Sequence, residues 1–96
     1  MTNYEIMFIV KATLDETALN NITKEVQKLI TGSKGKVVEF KDLGRKKLAY
    51  PINKEVSGFY YLINAEANTE TIQEFDRKLR INENILRHLI LKKESE

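Results

Sequence analysis

The spacing of hydrophobic and polar residues along the chain predicts four strands. Residues 4–10 are almost wholly apolar, which is typical of a short central strand covered on both faces. Residues 58–67 alternate and are rich in aromatic side chains, so they favour a second strand. The other two predicted strands span residues 36–52 and 85–91. Because Pro51 has no amide hydrogen to give to a neighbouring strand, we expect its strand at an edge of the sheet.

Apolar residues at helical spacing predict two helices. The first runs from about Asp15, whose carboxylate can accept from the free amides of the first turn, to Thr31. We expect Gly32 to end this helix in the left-handed conformation. The second helix begins after Asn68 or Thr69, and its last turn carries cations that complement the helix dipole.

The order of these elements predicts the fold class. Strand, helix, strand, strand, helix, strand is the ferredoxin-like βαββαβ arrangement, an α+β fold with a four-stranded antiparallel sheet and two helices on one face. Right-handed crossovers place the first and third strands in the middle. We expect a bulge at residues 42–44 and a hairpin loop at residues 53–57. Residues 1–92 then form a single domain, and residues 93–96 a charged, flexible tail.

The alternation also assigns strand residues to the two faces of the sheet. The face that packs on the helices takes Tyr4, Ile6, Phe8 and Val10, together with Phe59, Tyr61, Ile63 and Ala65. The face without helices takes Met7, Ile9, Tyr60 and Leu62, flanked by Arg87, Leu89 and Leu91. A contiguous apolar patch on a small domain usually marks an interface. The orientation of the last strand stays open, because Leu86, His88 and Ile90 also form an apolar set.

Composition limits the chemistry that is available. The 96 residues include no cysteine, which excludes disulfides, thiolate metal sites and cysteine nucleophiles. The single histidine, His88, lies among apolar residues, so we favour a structural role over catalysis or metal binding. The net charge is only +2, so RNA binding would need a local basic patch or a partner. With no membrane-spanning run and no signal peptide, we expect a cytoplasmic protein. No motif looks catalytic, so we expect no small-molecule substrate.

Three other classes of protein share this order of elements. An acylphosphatase-like enzyme would need a glycine-rich turn after the first strand, where this chain has Lys11–Asp15 instead. A stand-alone RNA-recognition module would turn Phe59 and Tyr61 outward to stack on bases, and would bury Asn64. A small oligomerising or regulatory domain is the third alternative.

Particular motifs identify a family more sharply than the element order does. The segment Gly44–Ile52, which reads GRKKLAYPI, closely resembles bacterial small-subunit ribosomal protein six. Tyr4-Glu5 near the start and the segment Leu79–Ile85 match the same family, and the resemblance extends to Lys92. It implies a ferredoxin-like fold with no enzymatic activity and no cofactor.

The resemblance also implies binding partners. It implies that the chain binds the central domain of small-subunit rRNA as a heterodimer with ribosomal protein eighteen. Four residues stand at basic positions of the family pattern and are the predicted rRNA contacts: Lys46, Lys47, Arg80 and Arg87. The exposed edge strand and the face without helices supply the predicted contacts to a protein partner: Leu48, Tyr50, Tyr60 and Leu62.

Overall fold

The computed structural model describes residues 2–52 and 54–93. The elements in chain order are β1 (Thr2–Lys11), α1 (Glu16–Thr31), β2 (Lys36–Ile52), β3 (Glu55–Ala67), α2 (Thr69–Ile81) and β4 (Ile85–Lys93). They form one antiparallel sheet in the order β2-β3-β1-β4. The predicted ferredoxin-like fold is confirmed, with β3 and β1 in the middle and the strand that contains Pro51 at an edge.

Side-chain caps set the starts of both helices. The Asp15 carboxylate accepts from the amide of Ala18 at 2.8 Å, and the Asn68 side chain accepts from the amide of Thr71 at 2.8 Å. Each cap satisfies one of the amides that a helix start leaves unpaired. The expected end of α1 was wrong in its geometry, because Gly32 keeps a right-handed conformation with φ −68°.

The hydrophobic core lies between the helices and one face of the sheet, which we call the covered face. The centre of this core is fully buried and consists of Ile6, Phe8 and Val10 of β1, Ile30 of α1, Ile63 of β3 and Phe75 and Leu79 of α2. Tyr61 stacks on Phe8 and on Phe40, with ring centroids 5.3 and 5.6 Å apart. The predicted assignment of alternate residues in β1 and β3 to this face is confirmed.

The ladder between β2 and β3 shifts register at three places, the first of them between Val37 and Glu39. The register shifts between Asp42 and Gly44, which confirms the predicted bulge. Gly44 has a φ of +84°, a conformation that glycine adopts without steric cost, and its amide donates to the Asp42 carboxylate at 2.8 Å. The third shift lies in the outer part of the hairpin, between Lys47 and Ile52.

The predicted hairpin loop at residues 53–57 was too long. β3 begins at Glu55, which pairs with Ile52, so the strands continue almost to the tip. Lys54, at φ 68°, adopts the left-handed conformation that a tight turn needs. Because this residue is not glycine, the sequence gives no signal of a tight turn here. Asn53 lies outside the described residues.

β4 is longer than predicted, and its orientation is now defined. It continues through Lys93, which pairs with Asn3, although we expected Lys93 to belong to a tail. The rest of that predicted tail, residues 94–96, lies outside the described residues. His88 and Ile90 pair with Phe8 and Ile6 and therefore lie on the covered face.

Candidate interaction surface

The second face of the sheet carries no helix, and we call it the open face. The strand registers arrange its side chains in rows that cross β4, β1 and β3 in turn. The central row is Leu89, Met7 and Leu62; the row nearer the hairpin is Arg87, Ile9 and Tyr60; and the row on the other side is Leu91, Glu5 and Asn64. This arrangement confirms the predicted membership of the open face.

The central row leaves apolar surface in contact with solvent. Leu89 is 54% exposed and Leu91 is 49% exposed, and both lie on the edge strand β4. Met7 and Leu62 lie beside them and are half-buried. Adjacent exposed apolar side chains on a small domain are typical of a surface that another molecule covers.

The outer part of the β2–β3 hairpin folds across one end of this face. The Tyr50 hydroxyl of β2 lies 2.6 Å from an Nη of Arg87 on β4, so the two groups form a hydrogen bond. The Arg87 guanidinium also lies 5.6 Å from the centre of the Tyr50 ring. Because β2 and β4 are opposite edges of the sheet, separated by roughly 14 Å of flat spacing, the hairpin must curl over β3 and β1 for this contact to form.

The hairpin buries residues that we expected on an uncovered surface. Ile9 is only 8% exposed and Leu48 only 7%, and both line a small cleft together with Tyr50, Tyr60 and Arg87. The expectation that Ile9 lies bare was therefore wrong. Since Leu48 is buried within the chain, its predicted role at a protein partner would have to be indirect.

The four predicted rRNA contacts occupy different surroundings. Lys46 lies on the open face with its Nζ 5.6 Å from the centre of the Tyr60 ring, and Arg87 lies near the same end of the face. Lys47 is exposed and pairs with Ser57, so it lies on the other side of the hairpin. Arg80 belongs to α2, where its Nη2 lies 2.6 Å from the Asp76 carboxylate. The structure brings together only Lys46 and Arg87.

The far end of the open face carries carboxylates, and sequence reasoning did not single these out. Glu5 and Glu39 lie in one row, on either side of Asn64, and Glu66 lies in the next row. The Glu39 carboxylate accepts from Asn64 Nδ2 at 3.0 Å and pairs with Lys41 Nζ at 3.5 Å. The open face is therefore apolar in its middle, cationic near the hairpin and richer in carboxylates at the opposite end. The strand alternation indicates this face for Glu5 and Glu66, whereas a register shift between Val37 and Glu39 breaks the alternation before Glu39.

The single histidine takes part in structural contacts. His88 Nε2 lies 2.5 Å from Asp76 Oδ1, and the other oxygen of that carboxylate pairs with Arg80. This contact ties β4 to α2 on the covered side. Across residues 2–52 and 54–93, no three side chains of the metal-ligating types come together to hold a metal ion.

The orientation of β3 rules out base stacking by the two aromatic residues of the RNA-recognition alternative. Tyr61 is 5% exposed within the core, and Phe59 packs against the same core. Burial raises the pKa of Tyr61, and the nearby Asp42 carboxylate raises it further. Its phenol is thus a neutral core group, and not a platform for RNA. Tyr50 and Tyr60 are the tyrosines near the open face.

Charged pairs on α2 illustrate an ordinary solvated helix surface. Arg77 Nη2 lies 2.5 Å from the Glu74 carboxylate, and this hydrogen bond lowers the pKa of Glu74. Neither described helix is long and apolar enough to cross a membrane.

Comparisons with known proteins agree with the geometry. The family model described as ribosomal protein S6 matches residues 3–92. The chain is 40% identical to small ribosomal subunit protein bS6 of Shouchella clausii over 94 residues, which is 98% of this chain and 99% of that protein. The structure of this chain superimposes on the crystal structure of 30S ribosomal protein S6 from Thermotoga maritima with a TM-score of 0.91. The two sequences are 29% identical, and the match covers 96% of this chain and 87% of that one. The chain belongs to the ribosomal protein S6 family.

Proposed function

We propose that this chain binds the central domain of small-subunit rRNA as a heterodimer with ribosomal protein eighteen. Membership of the family makes it a ribosome-associated protein of the small subunit and not an enzyme. The proposal adds the RNA target, the protein partner and the residues that contact each. We place this role in the cytoplasm, where the subunit is assembled.

The observation that carries the proposal is the open face, with its apolar middle and its cationic end. Leu89 and Leu91 remain about half exposed in the isolated chain, although each lies beside other apolar side chains. Covering such side chains gains roughly 25 cal/mol for each square ångström of apolar surface removed from water. A protein partner supplies that cover better than RNA does, because the phosphates of RNA remain strongly hydrated.

The distribution of charge supports a model in which each of the two proteins neutralises part of the rRNA phosphate charge. A net charge of +2 gives weak general attraction to a polyanion. Lys46 and Lys47 are exposed on the two sides of the hairpin strand, so they can reach phosphates. Arg80 and Arg87 each keep free N–H groups beyond the bonds that they make within the chain. We propose these four as rRNA contacts, with the remaining phosphate neutralisation coming from the partner.

We propose that the protein partner meets Tyr50, Tyr60 and Leu62. Tyr50 is 56% exposed, and Tyr60 and Leu62 are half-buried on the open face. Tyrosine side chains with a nearby arginine are typical of the energetic centre of a protein interface. Leu48 supports this set from below, because it is buried under the hairpin.

The proposal can be tested by titrating a labelled central-domain rRNA fragment. The fragment is mixed with the chain alone, with ribosomal protein eighteen alone, and with both. We expect weak binding by either protein and tight binding by the pair, because each supplies only part of the phosphate contacts. Specific nanomolar binding by this chain alone would contradict the need for a partner.

A pair of surface variants separates the open face from the rest of the molecule. Leu89→Glu places a charge on the open face, and we expect it to abolish the increase in rRNA affinity that ribosomal protein eighteen provides. Asn21→Glu is the matched control, because it adds the same charge at an exposed position of α1, away from the proposed contacts. Both sites are exposed, so both variants should fold, which circular dichroism checks. Equal loss of binding in the two variants would show that the open face has no special role.

A further inference from the structure

The outer hairpin contains more chain than its ladder needs. Lys47 pairs with Ser57 and Ile52 pairs with Glu55, so residues 48–51 of β2 face only Val56 of β3. A strand with several extra residues on one side bends away from its partner. Pro51 lies in this stretch, where its missing amide hydrogen costs the ladder nothing.

The extra chain has a defined position, because Arg87 holds it. Tyr50 is the residue that reaches across the sheet, and it meets Arg87 both through its hydroxyl and through its ring. A planar guanidinium can donate to the hydroxyl and lie against the ring at the same time, which the ammonium of lysine does less well. The contact joins residues 37 positions apart in sequence and belonging to opposite edges of the sheet.

Closure of the hairpin creates a small second core beneath it. Leu48 and Ile9 are buried there, and the cleft between hairpin and sheet measures about 110 Å³. That volume is well below the roughly 300–1,000 Å³ of sites that hold small molecules. Gly58 permits the close packing, since a Cβ at that position would lie 2.5 Å from Cγ2 of Ile9. The cleft is therefore a packing feature and not a ligand site.

We propose that Tyr50 and Arg87 form a latch that positions the cations of the hairpin for rRNA binding. Arg45, Lys46 and Lys47 immediately precede the stretch that the latch holds. With the latch closed, Lys46 stays against Tyr60, Arg45 donates to Ser57 Oγ and Lys47 pairs with Ser57, so the three cations keep a fixed position relative to the open face. Tyr50 and Arg87 thus position the hairpin, in addition to the contact with the protein partner that we propose for Tyr50 and the phosphate contact that we propose for Arg87. The rRNA part of this inference rests on the proposed function.

The first arm of the test measures opening of the hairpin without any ligand. Tyr50→Phe removes one hydroxyl and changes no charge. We expect trypsin to cleave after residues 45–47 roughly three- to tenfold faster than in the unmodified chain. Loss of the hydrogen bond from Arg87 to the Tyr50 hydroxyl raises the population of the open hairpin, and the cleavage rate follows that population. Arg87→Lys keeps the positive charge but loses the planar guanidinium that meets the hydroxyl and the ring of Tyr50. This variant should therefore also be cleaved faster. Tyr4→Phe, on the covered face, is the matched control and should cleave like the unmodified chain.

The second arm measures rRNA binding in the presence of ribosomal protein eighteen at several salt concentrations. Tyr50→Phe should weaken binding roughly three- to tenfold with the salt dependence unchanged, because no phosphate contact is removed. The double variant, Tyr50→Phe with Arg87→Lys, should bind rRNA no more weakly than the weaker-binding of the two single variants. The two effects should not add, because both substitutions break the same contact.

The outcomes separate the two proposals. Failure of the unmodified pair to bind rRNA would overturn the proposed function, while the proteolysis result would still decide whether the latch exists. Unchanged proteolysis in Tyr50→Phe would overturn the latch. Faster proteolysis with unchanged rRNA binding would show a latch that does not position the cations, and would overturn that part of the inference.

Discussion

The two faces of one sheet show how the same strands build a core on one side and an interaction surface on the other. On the covered face, Ile6, Phe8 and Ile63 have no exposed surface, because two helices lie over them. On the open face, the next residues along the same strands are half-buried at the centre, and Leu89 on the edge strand is 54% exposed. At the centre of the sheet the difference arises from cover and not from composition, because Met7, Leu62 and Leu89 on the open face are as apolar as the residues behind them.

The open face is itself divided. At the hairpin end, the chain supplies its own cover, and Ile9 is almost as inaccessible as a core residue. At the centre, the face stays exposed. The closed hairpin covers one end of the open face and leaves its centre exposed. The open face therefore has a defined shape before any partner binds. Such preorganisation lowers the ordering cost of binding.

The largest expected effect comes from truncating neighbouring residues on opposite faces. Ile63→Ala should lower the free energy of unfolding by about 2–5 kcal/mol, because it removes a fully buried side chain and leaves a cavity. Leu62→Ala should cost the free chain much less, because Leu62 retains contact with solvent. Chemical denaturation of both variants measures the difference. A larger loss in Leu62→Ala would mean that the open face is as well packed as the core.

Most of this contrast between faces was predictable from the sequence. A period of two fixes which residues share a face, and the crossover rule fixes which strands are central. The orientation of β4 was not predictable, because Leu86, His88 and Ile90 are as apolar as their neighbours. It is defined by the contact of His88 with Asp76 on α2, which is a tertiary contact.

The closed hairpin could not be predicted from local pattern. It includes a contact between Tyr50 and Arg87, and nothing in the local sequence of either residue indicates a partner on the opposite edge of the sheet. The alternation from Lys46 to Ile52 suggested a regular strand with an exposed apolar side, whereas Leu48 is buried beneath the hairpin. The motif that identified the family therefore predicted the position of the hairpin but not its closure.

An intermediate effect is expected at the second core. Leu48→Ala should lower the free energy of unfolding by about 2 kcal/mol, near the low end for buried leucines, because solvent can enter beside the hairpin. Leu89→Ala is the matched control on the same face, and it should cost under about 0.5 kcal/mol as an exposed position. Urea denaturation compares the two. Equal costs would indicate that the hairpin end and the centre of the open face do not differ in packing.

The smallest effect on stability, and the sharpest on binding, is expected from the hairpin cations. Replacing Lys46 and Lys47 together by Ala should change the free energy of unfolding by no more than about 1 kcal/mol, since both side chains are exposed and only Lys46 lies against a ring. If each contacts a phosphate, the slope of log binding constant against log salt concentration should flatten by roughly one unit for each lysine.

The control for that change is a second pair of exposed lysines. Lys24→Ala with Lys28→Ala removes the same charge from α1, on the covered side of the molecule. Because the two variants have equal net charge, general attraction to RNA is equal, and only local contacts can separate them. Titrations with rRNA and ribosomal protein eighteen at several salt concentrations give both slopes. A slope that flattens equally in both variants would mean that the hairpin lysines act through net charge alone, and that the latch has no particular cations to position.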